Sequence, residues 1–396
     1  MQSELQQALF QAFDSLHLQR MTAFCIPPVT LCGAGSVSAT GQQARERGLK
    51  HLFVMVDDSL HRAGLTAALE RSLAAHKVAL TLWSCPPGEP NISDVTAAVA
   101  RLREAQSDGV LAFGGGSVLD AAKAVTLLAA NPTLTLSGAM QAGALQPRLP
   151  LIAVPTTAGT GSEATNVTVI IDTQSQRKQV LAHPSLMPDL AILDASLTLG
   201  VPAHITAMTG VDALTHAIEA FTAIHASPFT SALASSAVAM IADALPKAVG
   251  YGEDVTAREN LLIASCMAGM AFSSAGLGLC HAMAHQPGAA LHIPHGQANA
   301  MLLPTVMRFN RLVCRDRYCT LGSALTGHHT EASAAIDAVE AFIGDVGLTR
   351  RLADYGATAE QYGGWAQGAL EDICIRTNPR TVTQAQIVDL YAAANH

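Results

Sequence analysis

The chain has 396 residues, of which 49% are hydrophobic and 14% charged, and its formal net charge is −8. This length is enough for one large domain or two domains with a substantial buried core. The negative charge and the lack of a basic cluster argue against binding to nucleic acid or to an anionic membrane surface. The eight cysteines form no Cys-x-x-Cys pair and no regular framework, which is typical of free thiols in a reducing cytosol.

The first twenty residues are predicted to form a short amphipathic helix. Their apolar residues recur at helical spacing opposite a glutamine-rich face, and they are Leu5, Leu9, Ala12, Phe13 and Leu16. One interpretation is a targeting helix that docks in a groove of a partner protein. The alternative is an arm that packs on its own protein. Glu4 and the absence of a basic lead-in do not fit a secretory signal. Residues 1–22 are therefore assigned to an N-terminal extension.

Residues 23–199 are predicted to form an α/β domain, because short apolar runs alternate with helical patterns. The predicted strands are Leu52–Val56, Val78–Ser84, Val110–Phe113, Leu151–Pro155, Val167–Ile171 and Leu190–Leu193. The clearest helical patterns lie near Arg62–Ala75, Ser93–Ala105 and Val118–Ala130. This alternation predicts a mainly parallel, Rossmann-like sheet with helices on both faces.

Two loops of this domain have the composition of a phosphate-binding site. Val110–Ser117 is a buried strand that leads through three glycines into a helix, and glycines let the backbone approach a phosphate at the helix start. Pro155–Glu163 also follows a strand and is rich in hydroxyls and glycines. The Gly-x-Gly-x-x-Gly fingerprint is absent, so a plain tight turn remains the alternative. Asp57, at the end of a predicted strand, could bind a ribose 2′-hydroxyl and repel a 2′-phosphate, which favours NAD over NADP.

After about residue 200 the strand patterns end, and residues 200–396 are predicted to form an all-helical domain. Gly200 and Pro202 mark the boundary. One stretch, Leu261–Cys280, carries no charged residue and is long enough to span a bilayer. Its serines and glycines, and its direct continuation into His281, favour a buried core helix instead.

The helical half has a spacing of ligand-type residues that fits a metal site. Asp212 and His216 lie four residues apart in a predicted helix, so both side chains project from one face. His281 and His285 repeat this spacing in a second helix. His295 lies in a Pro-His-Gly turn that leads into another helix. Three imidazoles and one carboxylate suit Fe(II) or Zn(II), with a further position open for substrate.

Motif details exclude two other enzyme classes. His281 and His285 have the spacing of a zinc-protease helix, but Ala282 stands where the general-base Glu would be. A serine hydrolase has no support either, because the chain contains no Gly-x-Ser-x-Gly elbow. The helix of these two histidines is predicted to end soon after Pro287.

Taken together, these motifs resemble those of the iron-containing (group III) alcohol dehydrogenases. The matching segments are Gly114–Lys123, Pro155–Glu163, Gly210–Ala220, His281–His285, Pro294–Gly296 and Asn378–Arg380. The resemblance covers the chain from about Phe24 onward and is nearest to the branch of the family that works in bacterial ethanolamine utilisation. It implies a dehydroquinate synthase-like fold, in which the α/β domain is followed by a metal-binding helical domain.

The resemblance also implies roles for individual residues. The metal ligands would be Asp212, His216, His281 and His295, usually of Fe(II) and sometimes of Zn(II). The NAD-contacting residues would be Gly114, Gly115, Gly116, Ser117, Thr156, Thr157 and Lys178. Asp57 matches the acidic residue that favours NAD, and His285 matches a histidine beside the metal that does not bind it. The segment Pro90–Ser93 departs from the family's Pro-Asn-Pro-Thr, which puts a cofactor contact by Asn91 in doubt.

The expected activity is the interconversion of a short-chain primary alcohol and its aldehyde with NAD(H), most specifically acetaldehyde to ethanol in ethanolamine catabolism. His285 is a candidate proton relay, with packing beside the ligands as the alternative role. The N-terminal extension would direct a cytoplasmic homo-oligomer into a protein-shelled microcompartment through a shell or cargo partner. The alternative functions are a zinc-dependent glycerol or polyol dehydrogenase of the same architecture, and a non-catalytic scaffold protein.

Overall fold

The structure is a computed structural model that describes residues 23–86, 88–141, 145–173 and 177–395. The N-terminal extension, residues 1–22, and its predicted amphipathic helix lie outside the described residues. Strands and helices are numbered separately below, each in chain order.

Within the described residues, the first half of the chain is built around a six-stranded parallel sheet. Its strands are β1 (Val29–Cys32), β2 (His51–Asp57), β3 (Ala79–Cys85), β4 (Gly109–Gly114), β5 (Leu151–Pro155) and β8 (Leu190–Leu193). They lie in the order β1-β8-β5-β4-β2-β3, and every neighbouring pair is parallel. The predicted parallel α/β architecture is confirmed.

Helices cover both faces of this sheet. They are α1 (Thr40–Glu46), α2 (Asp58–Arg62), α3 (Ala67–Ala75), α4 (Ile92–Glu104), α5 (Gly116–Ala130) and α6 (Leu136–Gln141). Successive strand side chains point to opposite faces, so Phe53 and Ala112 pack with α4 and α5 while Val54 and Leu111 pack with α1 and α3. Burial on both faces explains why the inner strands β2, β4, β5 and β8 are nearly continuous apolar runs. The helix predicted near residues 62–75 is divided into α2 and α3 around Gly64, whose φ of +74° suits glycine.

Two strands differ from the sequence prediction. Val167–Ile171 does form a strand, but β6 (Val167–Asp172) pairs antiparallel with β7 (Arg177–Ala182) in a separate two-stranded hairpin. Buried and half-buried positions alternate along the first part of β6, as in a strand with one covered face rather than a central parallel strand. The edge strand β1 was not predicted from the sequence, because it has only four residues and its end residues are exposed.

The second half of the described chain is helical. Its helices are α7 (Ala203–Thr222), α8 (Pro228–Gly250), α9 (Val255–Ala275), α10 (Leu279–Leu291), α11 (His295–Thr326), α12 (Ala332–Asp345), α13 (Ala359–Glu371) and α14 (Gln384–Ala394). The last strand ends at Leu193 and α7 begins at Ala203, so the predicted domain boundary falls in the segment between them. Helix α7 packs against α8, α9 and α11, and most of its side chains are buried. It is the central helix of this half.

Helix α10 continues through Pro287 and ends soon after it, at Leu291. A proline has no N–H to bond the carbonyl four residues earlier, which here belongs to Met283. The hydroxyl of Tyr391, on α14, donates a hydrogen bond to that carbonyl oxygen at 2.7 Å. A contact from the C-terminal helix therefore replaces the missing helical bond. The chain turns at His292, and α11 begins at His295, as the Pro-His-Gly sequence predicted.

Two parts of the helical half match a membrane span in length and composition. They are α8 and the pair α9–α10, which is bent by 107° at its break. The uncharged stretch Leu261–Cys280 is divided between these two helices, and Gly276, with φ of +81°, ends α9. In this fold, α8 and α9 pack against α7 and against each other.

Candidate metal centre and nucleotide cleft

Helices α7, α10 and α11 bring four potential metal ligands together. Asp212 and His216 project from α7, His281 from the first turn of α10, and His295 from the start of α11. One ligand atom from each residue lies within 4.8 Å of those of the other three. Asp212 Oδ1 is 3.8 Å from His281 Nε2 and 3.5 Å from His295 Nε2. The first three residues are buried and His295 is partly exposed, so the donors converge at a point with one open side.

The pKa values of Asp212, His281 and His295 are shifted in the directions that favour metal binding. Burial raises the pKa of Asp212, but the neighbouring imidazoles outweigh it and hold that pKa below its ordinary value. Burial lowers the pKa of His281 well below its usual range, and desolvation also lowers the pKa of His295. An ionised carboxylate and neutral imidazoles are the forms that ligate a divalent ion. The donor set therefore fits iron or zinc.

A buried carboxylate, Glu219, orients one of these imidazoles. Its Oε2 lies 2.5 Å from Nδ1 of His281, and its Oε1 accepts a hydrogen bond from the N–H of Cys280 at 2.7 Å. Burial raises the pKa of Glu219 to about 7, and the N–H groups at the start of α10 oppose that rise. Because Nδ1 of His281 faces Glu219, Nε2 of the same imidazole is available to bind a metal, as in carboxylate–histidine–metal arrangements. The role of Glu219 was not predicted from the sequence, although Glu219 lies one turn after His216 on the same helix.

The amide of Asn299 lies among the donor atoms. Its Nδ2 donates to Asp212 Oδ1 at 2.7 Å, and it is 3.2 Å from His281 Nε2 and 3.3 Å from His295 Nε2. Asn299 follows His295 by four residues on α11, so both side chains project from the same face. The amide holds the Asp212 carboxylate toward the imidazoles. The i,i+4 spacing from His295 was the signal that could have identified it.

His285 lies beside the four residues but makes a different contact. Its Nδ1 is 2.7 Å from Oδ2 of Asp372, and its ring stacks on that of His295 with centroids 5.3 Å apart. Burial raises the pKa of Asp372, but the hydrogen bond from His285 helps to hold it below its ordinary value. Asp372 Oδ1 also accepts from the N–H of Cys374 at 2.8 Å, which fixes the carboxylate. Asp372 was not predicted from the sequence, because it lies 87 residues after its partner.

The two predicted phosphate-binding loops lie side by side at the carboxyl ends of β4 and β5. Strand β4 ends at Gly114, and α5 begins at Gly116. The N–H of Thr156 donates to the Gly114 carbonyl at 3.0 Å. A Cβ atom added to Gly115 would lie 3.4 Å from Thr157 Oγ1. The glycines thus let the loops approach each other, and Ser117 lies in the first turn of α5, where unpaired N–H groups favour an anion.

A buried lysine, Lys123, links α5 to the second loop through hydrogen bonds. Its Nζ donates to Ser162 Oγ at 2.8 Å, to Thr165 Oγ1 at 2.7 Å and to the Val167 carbonyl at 2.7 Å. Burial lowers the pKa of Lys123 to about 8, and the nearby carboxylate of Asp120 opposes that change. Three polar partners compensate for the buried ammonium group. Lys123 is the last residue of the family-like segment Gly114–Lys123, but the sequence alone indicated no role for it.

The second loop also contacts the ligand cluster. His216 Nδ1 lies 3.3 Å from the carbonyl oxygen of Gly159, which leaves Nε2 of that imidazole for the cluster. A Cβ atom on Gly159 would lie 2.7 Å from Thr209 Cβ of α7, so glycine allows this close approach. The second of the two predicted phosphate-binding loops therefore lies against the four potential ligands, between the two halves of the chain.

A cavity lies at the carboxyl ends of β2 and β3, next to these loops. Asp57 and Ser117 both line it, together with Trp83 and Cys85. Asp57 Oδ1 accepts hydrogen bonds from the N–H of Ser59 at 2.8 Å and from its hydroxyl at 2.5 Å. This is the position in which a carboxylate could meet the ribose of a dinucleotide. Lys178 lies in β7, and its side chain is outside the described part of the structure.

Comparison with known proteins identifies the family. Residues 27–195 match the family model described as iron-containing alcohol dehydrogenase, and residues 206–395 match the model for the C-terminal region of the Fe-containing alcohol dehydrogenase family. The chain belongs to the iron-containing alcohol dehydrogenase family. Family membership implies an oxidoreductase that binds iron and NAD(H), and it confirms the resemblance inferred from the motifs.

Individual relatives agree with this assignment. The chain is 70% identical over 394 residues, covering 100% of both sequences, to "Probable alcohol dehydrogenase EutG" of Salmonella typhimurium. A solved 1,3-propanediol oxidoreductase shares 33% identity with a TM-score of 0.91, over 95% of this chain and 100% of that one. A sulfoacetaldehyde reductase from Bifidobacterium kashiwanohense, solved with NAD⁺, shares 26% identity with a TM-score of 0.86, over 95% and 99%. This chain is an alcohol dehydrogenase, and the non-catalytic scaffold alternative loses its support.

Proposed function

We propose that this alcohol dehydrogenase interconverts a short-chain primary alcohol and its aldehyde with NAD(H), at Fe(II) held by Asp212, His216, His281 and His295. The physiological reaction would be reduction of acetaldehyde to ethanol in ethanolamine catabolism. The observation that carries the proposal is the contact between His216 and Gly159, because it joins the ligand cluster to a nucleotide loop. The 70% identity to EutG over the whole chain supports an alcohol dehydrogenase that works in ethanolamine utilisation.

The metal would supply Lewis-acid chemistry when bound, lowering the pKa of an alcohol and polarising an aldehyde carbonyl. The residues of this chain bind and orient the reactants. Gly114, Gly115, Gly116, Ser117, Thr156, Thr157 and Lys178 would hold NAD(H). Asp57 would accept a hydrogen bond from the adenosine ribose. Orientation of nicotinamide against the substrate carbon is the protein's main contribution to hydride transfer. Zn(II) in the same four-residue site would suit the alternative polyol substrates.

Within this proposal, His285 moves the proton between substrate oxygen and solvent. Its Nδ1 faces the Asp372 carboxylate at 2.7 Å, and this contact selects the tautomer with the proton on Nδ1. Nε2 is then free to accept or return a proton, either directly or through a ribose hydroxyl. The His285 side chain is 24% exposed whereas that of His281 is 1% exposed, so only His285 of the α10 pair has a path to solvent.

Replacing His285 with alanine is expected to lower turnover by about 100-fold or more while the metal content stays at the wild-type level. The pH dependence of kcat should also change, because the proton would have to leave without the imidazole. Steady-state kinetics from pH 6 to 10 with parallel metal analysis would measure both effects. The surface substitution His329→Gln, far from the cluster on an 81% exposed side chain, is the control. An unchanged turnover and pH profile in His285→Ala would exclude the relay role.

The proposed reaction can be tested directly on protein purified without oxygen. After reconstitution with Fe(II), NADH oxidation would be followed with acetaldehyde, and metal-free protein would serve as the control. Iron-dependent turnover would support the metal, the cofactor and the aldehyde together. Turnover only with Zn(II) and glycerol-type diols would favour the polyol dehydrogenase. No turnover with any metal, despite bound NADH, would contradict the proposed reaction.

We also propose that residues 1–20 direct the enzyme, as a cytoplasmic homo-oligomer, into a protein-shelled microcompartment. The helical spacing of their apolar residues supports a helix that binds a shell or cargo partner. Residues 1–20 fused to a fluorescent reporter should form foci in cells that make the shells. A diffuse signal in those cells would contradict targeting, and the packed-arm interpretation would take its place.

A further inference from the structure

The cavity at the ends of β2 and β3 is lined by a second carboxylate besides Asp57. Asp94 lies in the first turn of α4, where its backbone N–H is capped by the side chain of Asn91 at 3.0 Å. Its side chain lines the same cavity as Asp57, Cys85 and Ser117, and it is partly exposed. Two acidic groups from different elements therefore face one small space next to the nucleotide loops.

The electrostatics of Cys85 show that both carboxylates act on this space. Burial raises the pKa of the Cys85 thiol to about 12, and the charges of Asp57 and Asp94 add to the rise. Within the described residues, neither carboxylate forms a salt bridge with a Lys or Arg side chain. The cavity is therefore lined by two carboxylates that no basic side chain of the described residues neutralises.

We propose that Asp94 is a second determinant of cofactor choice, acting with Asp57 to exclude the 2′-phosphate of NADP(H). This inference deepens the proposed function, because it rests on the adenosine ribose of NAD(H) lying in this cavity. Asp57 is placed to accept a hydrogen bond from a 2′-hydroxyl. Asp94 adds a second repulsive charge from α4, and specificity is often built from such a repulsive element.

A cofactor with a 2′-phosphate would carry roughly two additional negative charges into the cavity. Removing Asp57 alone would leave Asp94 facing that phosphate, so Asp57→Asn should relax the preference only in part. Asn keeps the shape of Asp and caps a helix as well as Asp does, so Asp57→Asn should retain the first turn of α2. Helix α4 keeps its own cap, Asn91, when Asp94 is replaced. The two substitutions can therefore be combined without removing either helix start.

The test compares four proteins with Fe(II): the wild type, Asp57→Asn, Asp94→Asn and the double variant. The measured quantity is the ratio of kcat/KM with NADPH to kcat/KM with NADH, using acetaldehyde. Each substitution should raise this ratio by about ten-fold, and the double variant by about a hundred-fold, with smaller gains at high salt. Glu104→Gln, at the far end of α4 with a 69% exposed side chain, removes one charge elsewhere and should leave the ratio unchanged.

Equilibrium binding of NADH and NADPH gives a second measurement that does not depend on turnover. Energy transfer from Trp83, which lines the cavity, to the bound reduced cofactor would report each Kd. A double variant whose ratios match those of Asp57→Asn would overturn the role of Asp94. If acetaldehyde is not reduced but the binding ratios shift as expected, the proposed reaction fails and the role of Asp94 stands. A wild type that binds neither cofactor would overturn both.

Discussion

Replacing His281 with alanine is expected to abolish stable metal binding, and turnover with it. This imidazole is buried, its Nε2 is 3.8 Å from Asp212 Oδ1, and its Nδ1 is held by Glu219. Alanine would remove one of the four donors and leave the Glu219 carboxylate without its partner. The affinity for the metal should fall by more than the roughly 10–100-fold that is typical when only the hydrogen-bond partner of a metal ligand is removed.

Glu219→Gln provides the graded comparison for this experiment. It keeps an acceptor for His281 Nδ1 but removes the negative charge, so the affinity for iron should fall by about 10–100-fold rather than disappear. Competition with a chelator under anaerobic conditions would measure affinity, and thermal unfolding with and without metal would separate metal loss from misfolding. Glu360→Gln, on the exposed surface of α13, is the matched control. His281→Ala protein that retains wild-type iron and activity would contradict the ligand assignment.

Gly296→Ala is expected to be severely destabilising and to weaken metal binding. A Cβ atom at Gly296 would lie 2.0 Å from the carbonyl oxygen and 2.6 Å from the carbonyl carbon of Met208, both backbone atoms of α7. The start of α11 would have to move away from α7, carrying His295 away from Asp212. Overpacking of this kind typically costs about 1–3 kcal/mol, and contact with rigid backbone places this site at the upper end or above.

Thermal unfolding and metal content would measure both consequences of Gly296→Ala. The control is Gly344→Ala on α12, where an added Cβ would meet no atom within 4 Å. Alanine there should be neutral or stabilise the helix by about 0.5–1 kcal/mol. If Gly296→Ala unfolded at the same temperature as the wild type, the prediction would be wrong, because α11 could then move away from α7 without loss of stability.

The sequence predicted those features that depend on local periodicity. Asp212 and His216 could be recognised because a helix places residues four apart on one face. The parallel sheet could be predicted because its strands are buried on both faces and separated by helices. Strand β1 gave no such signal, and β6 is apolar enough to resemble a strand of the large sheet although its strand partner is β7. Apolar runs indicate that a strand exists but do not determine which strand it pairs with.

The carboxylates that contact the site histidines could not be found in the same way. Glu219 contacts a histidine 62 residues later, and Asp372 contacts one 87 residues earlier. Such pairs arise only when the helices have packed, and no short motif records them. Pro287 illustrates the same limit, because the local rule that a proline removes a helical hydrogen bond takes no account of the rest of the fold. A tyrosine from another helix supplies the bond that the rule assumes to be lost.

The contacts that hold α10 have a consequence for how the enzyme is made. Three of them come from residues 372–391, near the end of the chain. Asp372 contacts His285, Asn378 caps the N–H of Leu279 at 3.1 Å, and Tyr391 caps Met283. A ribosome completes Asp212 and His216 long before it reaches this segment. The nascent protein therefore carries two of the proposed ligands early, and we expect α10, which carries a third, to be held in place only after the final residues have emerged from the ribosome.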